Sequence, residues 1–335
     1  MNLSTLHKLI FEKRILALLR LSGQTQALYR CAFATAAGSS GVLSLLASGP
    51  CAAPEIAQGM QLGADKLSAL EAWLDCGVKA GELALRDGRY RLKGRLSRLL
   101  ARPHNGISAS LFEEVARYHY DAILHAPRKL RENAPYTLDD QDGTLIARSS
   151  QILEPFVEEA VDWAFASHRP RSVLEVGCGA GHYLRYMKQR RPLLEITAID
   201  AQAPVVELAR RNLAAWGVQG IDVQCADVLS LEGPCRYDLI TLHNSIYYFA
   251  EPQRDVLLRK LRSLLIPSGR LLLTTSCRGG GPAIAALHLW WSLSDVPGGL
   301  PDCGALKQRI LESGFSEVQV RQLLPGERYY GFLAA

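Results

Sequence analysis

No stretch of this sequence is continuously apolar over the length a membrane span needs. The longest uncharged run, Cys31 to Pro54, is built of Ala, Gly, Ser and a few large apolar residues, whereas a span requires about 20 mostly apolar ones. The amino terminus also lacks the pattern of a signal peptide, because Lys8, Glu12, Lys13 and Arg14 interrupt its apolar residues and no small-residue cleavage site follows. The eight cysteines (31, 51, 76, 178, 225, 235, 277 and 303) include no CxxC pair. That spacing indicates neither a zinc site nor a disulfide framework, so no metal is expected and the cytoplasm is the expected compartment. An excess of one charge is nearly absent too: 38 Lys and Arg stand against 33 Asp and Glu, too small a surplus to call by itself for a nucleic-acid or membrane partner.

What is present is a chain of 335 residues, 48% hydrophobic and 21% charged. That balance suits a folded globular protein, and the length suits two domains of roughly 100–200 residues each. The charge is unevenly spread. Residues 1–130 carry 17 basic and 10 acidic side chains, and the remainder carries 21 and 23.

The amino-terminal part reads as short helices. Leu3, Leu6, Leu9, Ile10, Ile15, Leu16 and Leu19 recur at helical spacing, and Gly23 offers a stop. A second run, Ala32 to Leu46, ends at Gly49-Pro50, and Pro54 and Asp65 open two more helices, the second carrying Leu67, Leu70, Trp73 and Leu74. Next, Asp87-Gly88 sits between two alternating stretches and signals a tight hairpin. Helices followed by a hairpin predict a winged-helix domain over residues 1–102. Seven basic residues (86, 89, 91, 93, 95, 98 and 102) crowd this hairpin and its exit against the single acid Asp87. Such a wing can meet phosphates or simply be a solvated edge that discourages strand pairing. The second reading is preferred, because Asp65, Glu71 and Asp75 on the would-be recognition helix would repel DNA. Residues 103–150 read as a helical bridge, with an aromatic helix from Leu111 to Leu130 and a loop from Pro135 to Gly143 that could serve as a lid.

From residue 151 onward the pattern alternates strand and helix. Strands are expected at 172–176, 195–199, 222–225, 238–242, 270–275, 317–322 and 329–334, with helices at 183–189, 205–216 and 254–264. This is the signature of a doubly wound α/β sheet, and the short link before the last strand makes the final pair antiparallel. The first strand runs into Glu175-Val176-Gly177-Cys178-Gly179-Ala180-Gly181, where glycines allow a tight turn and close approach to a ligand. A GxGxxG dinucleotide loop would need glycine at position 182, which is His182. Asp200 ends the second strand, where a carboxylate can accept both hydroxyls of a ribose, and Asp227 follows the third, within reach of an adenine amino group.

These three elements, in this order, resemble the class I S-adenosylmethionine-dependent methyltransferases. The resemblance implies that Gly177, Gly179 and Gly181 lie against the methionine and ribose of the cofactor S-adenosyl-L-methionine, with Glu175 near its amino end. Asp200 would hold the ribose and Asp227 the adenine, and Cys178 would be only a small residue. A winged-helix domain ahead of the sheet is similar to that of the small-molecule O-methyltransferases, which dimerise through it. The resemblance therefore implies methyl transfer to a small molecule, a homodimer, and no nucleic-acid partner.

The fourth strand exit departs from that family. Its His-Asp-Trp, whose His is the general base, is matched here by a stretch with Tyr247 in the place of His. Tyrosine, with a pKa near ~10, is a poor base at neutral pH but can orient an acceptor or face a sulfonium. Tyr247, His243 and Asn244 are accordingly the candidate catalytic residues, Asn244 also facing the cofactor, with His243 the first candidate if a base is needed and His119, His125 and His288 behind it. Trp290 and Trp291 are expected either to wall an acceptor pocket or to pack. The missing base leaves open a non-methylating reaction of the cofactor, such as cyclisation. A nucleic-acid regulator ranks below both.

Overall fold

The computed structural model describes residues 2–11, 14–233, 235–296 and 298–335. Glu12 and Lys13, read above as interrupting the first apolar stretch, lie outside the described residues. The chain divides into two compact units, Met1–Ala116 and Arg117–Ala335. The division falls inside the expected bridge 103–150, with residues 117–150 grouped in the second unit.

In the first unit the expected stop at Gly23 is not realised. One helix runs Arg14–Ser39, and the chain turns only at Gly41, whose φ of 80° is left-handed, into Val42–Ser48. A lone glycine costs a helix interior about 1 kcal/mol, which flanking residues readily outweigh. Phe33, Ala37, Val42, Leu43, Ile56, Leu70 and Leu74 form the core of this unit. Among the described residues no single helix is long and apolar enough to cross a membrane. The expected hairpin is present as β1 (Leu83–Arg86) and β2 (Arg89–Leu92), paired antiparallel. Asp87 and Gly88 at its tip have φ of 51° and 73°, the left-handed pair that matches hairpin twist.

Two of the wing's basic residues are engaged internally. Arg89 donates to the Pro50 carbonyl and to Glu55 at 2.8 Å, and Arg98 donates to the Gly94 carbonyl. At the hairpin's base, fully buried Glu82 accepts from the Ser97 N–H at 2.8 Å and from Arg30 Nε at 2.8 Å. Burial opposes ionisation of this carboxyl, but these donors outweigh it and hold its pKa below the ordinary 4.5.

The second unit holds a seven-stranded sheet: β3 (Ser172–Val176), β4 (Glu195–Asp200), β5 (Ile221–Cys225), β6 (Tyr237–His243), β7 (Leu265–Ser276), β8 (Val318–Gln322) and β9 (Tyr329–Ala334). Their spatial order is β5-β4-β3-β6-β7-β9-β8. The pairs from β5 to β7 are parallel, and β9 runs antiparallel to both neighbours. Successive strand residues feed opposite faces. Val173 and Leu239 pack under the helices Glu154–Ser167, His182–Arg190 and Ala203–Ala215, while Leu174 and Ile240 pack under Glu251–Leu264 and Cys303–Glu312.

The expected helix from Leu111 to Leu130 is interrupted by a π turn at Val115–His119, then continues as Tyr120–Glu132. The Pro135 to Gly143 stretch is anchored rather than free. Tyr136 bridges to Ser294, with its N–H on the Leu293 carbonyl at 2.8 Å and its own carbonyl accepting from Asp295 at 2.8 Å.

Glu82→Ala should destabilise the amino-terminal unit by about 1–3 kcal/mol, because the Ser97 N–H loses its acceptor. The measurement is the urea midpoint followed at Trp73. Because the Glu82 pKa is depressed on folding, its contribution is present above 4.5 and lost as pH falls below that value. Acidification should therefore weaken the wild type but not the variant at this site.

Candidate functional site

The parallel order β5-β4-β3-β6 sets four strand ends side by side at one edge of the sheet, and the sequence-predicted residues stand on them. The glycine loop leaves β3 with Gly177, Gly179 and Gly181 all left-handed, at φ of 72°, 53° and 85°. Backbone bonds from Gly177 and Cys178 to the Ile199 carbonyl hold the loop against β4, and Asn212 Nδ2 donates to the Ala180 carbonyl at 3.0 Å. Gly177 is required on two counts: its φ disfavours any side chain, and a Cβ would stand 2.7 Å from Ser245 Oγ. Burial pushes the Cys178 thiol far up, which suits a small packing residue rather than a nucleophile.

Asp200 closes β4. Its carboxylate accepts from the Gly179 N–H at 3.2 Å and the Gln202 N–H at 3.0 Å, joining the strand end to the loop. Burial raises its pKa, and these N–H donors oppose the rise. Asp227 lies exposed beyond β5, with one oxygen accepting from the Leu229 N–H at 3.0 Å.

Glu175 is completely buried. The Thr241 hydroxyl donates to its Oε2, and Oε1 has no hydrogen-bond partner among the described residues. Burial pushes its pKa up to about 8, with the Thr241 bond opposing. A carboxyl with an unmatched oxygen beneath the loop, and a loop on which a Cβ at Gly179 would meet no atom within 4 Å, fit a ligand that brings a cationic group and lies close on the backbone.

At the end of β6, Asn244 holds a left-handed backbone (φ 52°), with its N–H on the Thr274 carbonyl at 2.8 Å. The expectation that His243 could reach an acceptor as a base does not survive. Its side chain has no exposed surface, its Nδ1 bonds Thr274 Oγ1 at 2.9 Å, and burial holds its pKa down to about 3. The strand alternation turns this ring inward instead of toward the strand end. Of the other reserve histidines, His119 is buried, His288 accepts from the Leu300 N–H, and His125 pairs through Nδ1 with Asp121 at 2.7 Å.

Tyr247 and Tyr248 lie half-buried just past the strand end, rings 5.3 Å apart and stacked, each touching Trp291. Trp290 and Trp291 are both buried to 1%, so they support the tyrosines from behind and are not themselves an exposed wall. Tyr136 stacks on Trp290 at 5.3 Å. The sequence reading missed Thr241, Thr274 and Tyr329. The signal was available as two threonines inside otherwise apolar buried strands.

A family model described as a methyltransferase domain matches residues 173–269. The chain is 29% identical over 308 residues to the 3-hydroxy-5-methyl-1-naphthoate 3-O-methyltransferase of Streptomyces sahachiroi, a match covering 87% of this chain and 88% of that enzyme. Its fold is shared with the mitomycin 7-O-methyltransferase MmcR (TM-score 0.74, 19% identity, 97% of this chain and 99% of that one). Human N-acetylserotonin methyltransferase, solved with S-adenosylmethionine, is similar as well (TM-score 0.70, 20% identity, 96% and 97% of the two chains). With the glycine loop and the strand order, these matches show a methyltransferase domain and support an S-adenosylmethionine-dependent methyltransferase enzyme. More particularly, it is similar to small-molecule O-methyltransferases along most of its length, its helical amino-terminal unit included.

Two outcomes follow from the loop and its carboxyl. Gly177→Ala should weaken S-adenosylhomocysteine binding at least about tenfold, since the left-handed backbone alone costs about 1–2 kcal/mol; calorimetry reads it. Because Glu175 keeps a proton on folding that the unfolded chain releases near 4.5, stability must fall as pH rises from about 4.5 toward 8. Glu175→Gln should flatten that part of the Tm profile.

Proposed function

We propose that this enzyme transfers the methyl group of S-adenosylmethionine to a hydroxyl oxygen on a flat aromatic small molecule. The observation that carries the reading is the adjacency of two surfaces. The Glu175, glycine-loop, Asp200 and Asp227 row crosses three strand ends, and the Tyr247-Tyr248 shelf begins at the fourth. In this reading Glu175 lies toward the cofactor's amino group, Gly177, Gly179 and Gly181 lie along its methionine and ribose, Asp200 holds the ribose hydroxyls, and Asp227 reaches the adenine. Asn244 shapes the floor between cofactor and acceptor. When bound, S-adenosylmethionine supplies a methyl on a sulfonium whose positive charge disappears during an in-line displacement.

The chain's own residues then have mainly to align and to exclude water. Tyr247 offers a ring face and a hydroxyl for orienting the acceptor, and its partner rings fix it in place. In this reading no histidine serves as the base, so the acceptor oxygen should arrive already acidic or ionised, as an electron-poor phenol does. The naphthoate-methylating relative supports an aromatic hydroxyl as the acceptor class.

The finer assignments follow the same resemblance. The amino-terminal unit is a winged helix serving as a dimer contact. Leu16, Leu18, Leu19, Leu21, Leu28 and Tyr29 are all at least half exposed on the helix Arg14–Ser39, more apolar surface than a lone subunit ordinarily leaves in water. The eight free thiols suit a reducing cytoplasm.

Calorimetry with S-adenosylhomocysteine should give binding that Asp200→Ala weakens about 10–100-fold, from loss of hydrogen bonds to a charged group; no binding to wild type would sink the proposal. Across a series of substituted phenols, kcat/KM should rise as the acceptor pKa falls. Tyr247→Phe should retain most activity, and Tyr247→Ala should raise the acceptor KM about tenfold through lost aromatic contact. Sedimentation should give twice the 36.8 kDa chain mass, and Leu18→Glu with Leu19→Glu should give the single mass.

A further inference from the structure

A chain of buried polar groups runs beneath the site, and its hydrogens can be assigned. The Asn244 side chain hydrogen-bonds the Tyr329 hydroxyl. Tyr329 in turn donates to Thr274 Oγ1 at 3.2 Å, and that oxygen lies 2.9 Å from His243 Nδ1. On the far side of the imidazole, Nε2 lies 3.8 Å from Glu175 Oε2, too far for a hydrogen bond, and has no hydrogen-bond partner among the described residues. Glu175, Thr241, His243, Thr274 and Tyr329 are all buried to 4% or less, so water does not compete for these groups.

Thr274 has one hydroxyl hydrogen. Its oxygen already accepts from Tyr329, and among the described residues the one other partner of that hydroxyl is His243 Nδ1. Thr274 therefore donates, Nδ1 accepts, and the ring hydrogen of the neutral imidazole sits on Nε2. The opposite tautomer would require the bond between Tyr329 and Thr274 to reverse, with Thr274 donating to the Tyr329 oxygen. Tyr183 packs edge-on to the imidazole at 5.0 Å, which limits rotation of the ring.

We propose that His243 is a positioning residue, held as its neutral Nε2–H tautomer, whose Nδ1 bond to Thr274 ties the ring to the strand that carries the Asn244 backbone beside the tyrosine shelf, and whose Nε2–H faces the Glu175 carboxyl under the glycine loop without bonding it. It touches neither cofactor nor acceptor and acts through these two residues. The tautomer assignment stands on the hydrogen-bond geometry alone; its effect on binding rests on the cofactor assignment made above.

The test has a spectroscopic and a functional arm. In protein labelled with nitrogen-15 histidine and free of ligand at neutral pH, His243 should give one resonance of a bare nitrogen at Nδ1 and one of a protonated nitrogen at Nε2. Thr274→Val keeps the side-chain shape but removes the donor. It should abolish the single-tautomer signature and weaken S-adenosylhomocysteine binding about tenfold, the scale of one buried group left unmatched. Thr274→Ser should restore both. A wild-type spectrum with the hydrogen on Nδ1 overturns the proposal, as does a Thr274→Val protein that folds and binds as wild type. If wild type binds no S-adenosylhomocysteine, the cofactor assignment fails, while the resonances of the ligand-free protein still decide the tautomer.

Discussion

The close approach of Gly177 to Ser245 is the contact on which the site depends. A side chain at residue 177 would collide with the serine hydroxyl, which is itself bonded to the His243 carbonyl at 2.8 Å. The exit of β3 and the exit of β6 are therefore locked against each other. Once they are locked, the parallel register of the four strands leaves little choice about where the remaining groups lie. Asp200 comes to the loop because β4 ends one pairing step beyond β3. The tyrosine shelf begins at β6 because Asn244 turns the chain out of the sheet in a left-handed conformation that asparagine tolerates better than most residues.

Burying a carboxyl at the heart of this arrangement is unfavourable in the ligand-free protein, and the structure only half offsets it. Thr241 satisfies one oxygen of Glu175, and among the described residues nothing satisfies the other. A fully matched carboxyl would be more stable and less able to respond to an arriving cation. Stability given up at a binding site is recovered when the ligand binds, and here the ligand carries an ammonium group. Under the proposed function, in which Glu175 lies toward the cofactor's amino group, the deficit beneath the loop and the affinity above it would be two sides of one electrostatic arrangement.

Much of this was legible in the sequence because it is local. Strand 172–176 and strand 329–334 stand where alternation and flanking turns put them, and the Asp87-Gly88 hairpin forms with the left-handed pair its dipeptide calls for. The glycine loop and the two aspartates are legible for a similar reason: each stands at a strand end, and strand ends can be read one segment at a time. Where the structure departs from the sequence expectation, the causes differ in reach. Gly23 passes through a helix because its neighbours favour helix strongly enough to carry it, and Gly41, where φ is positive, makes the break instead. His243 was taken for an accessible base because it precedes Asn244 at a strand exit. Which way its ring points depends on Thr274 and Tyr329, residues 31 and 86 positions downstream that share its sheet neighbourhood only after folding. The tie of Tyr136 to Ser294 joins segments far apart in sequence and left no local sign.

That last tie has an evolutionary consequence. Tyr136 is bonded by its backbone to Leu293 and Asp295, by its ring to Trp290, and by its hydroxyl to Asp121 at 2.7 Å. Trp290 touches Trp291, and Trp291 backs both tyrosines of the shelf. Substitutions along Tyr120–Glu132 or around Tyr136 can thus tilt the shelf without touching anything bound to it. A lineage of such enzymes could drift from one acceptor to another through its supporting helix while every residue on the cofactor row stayed fixed.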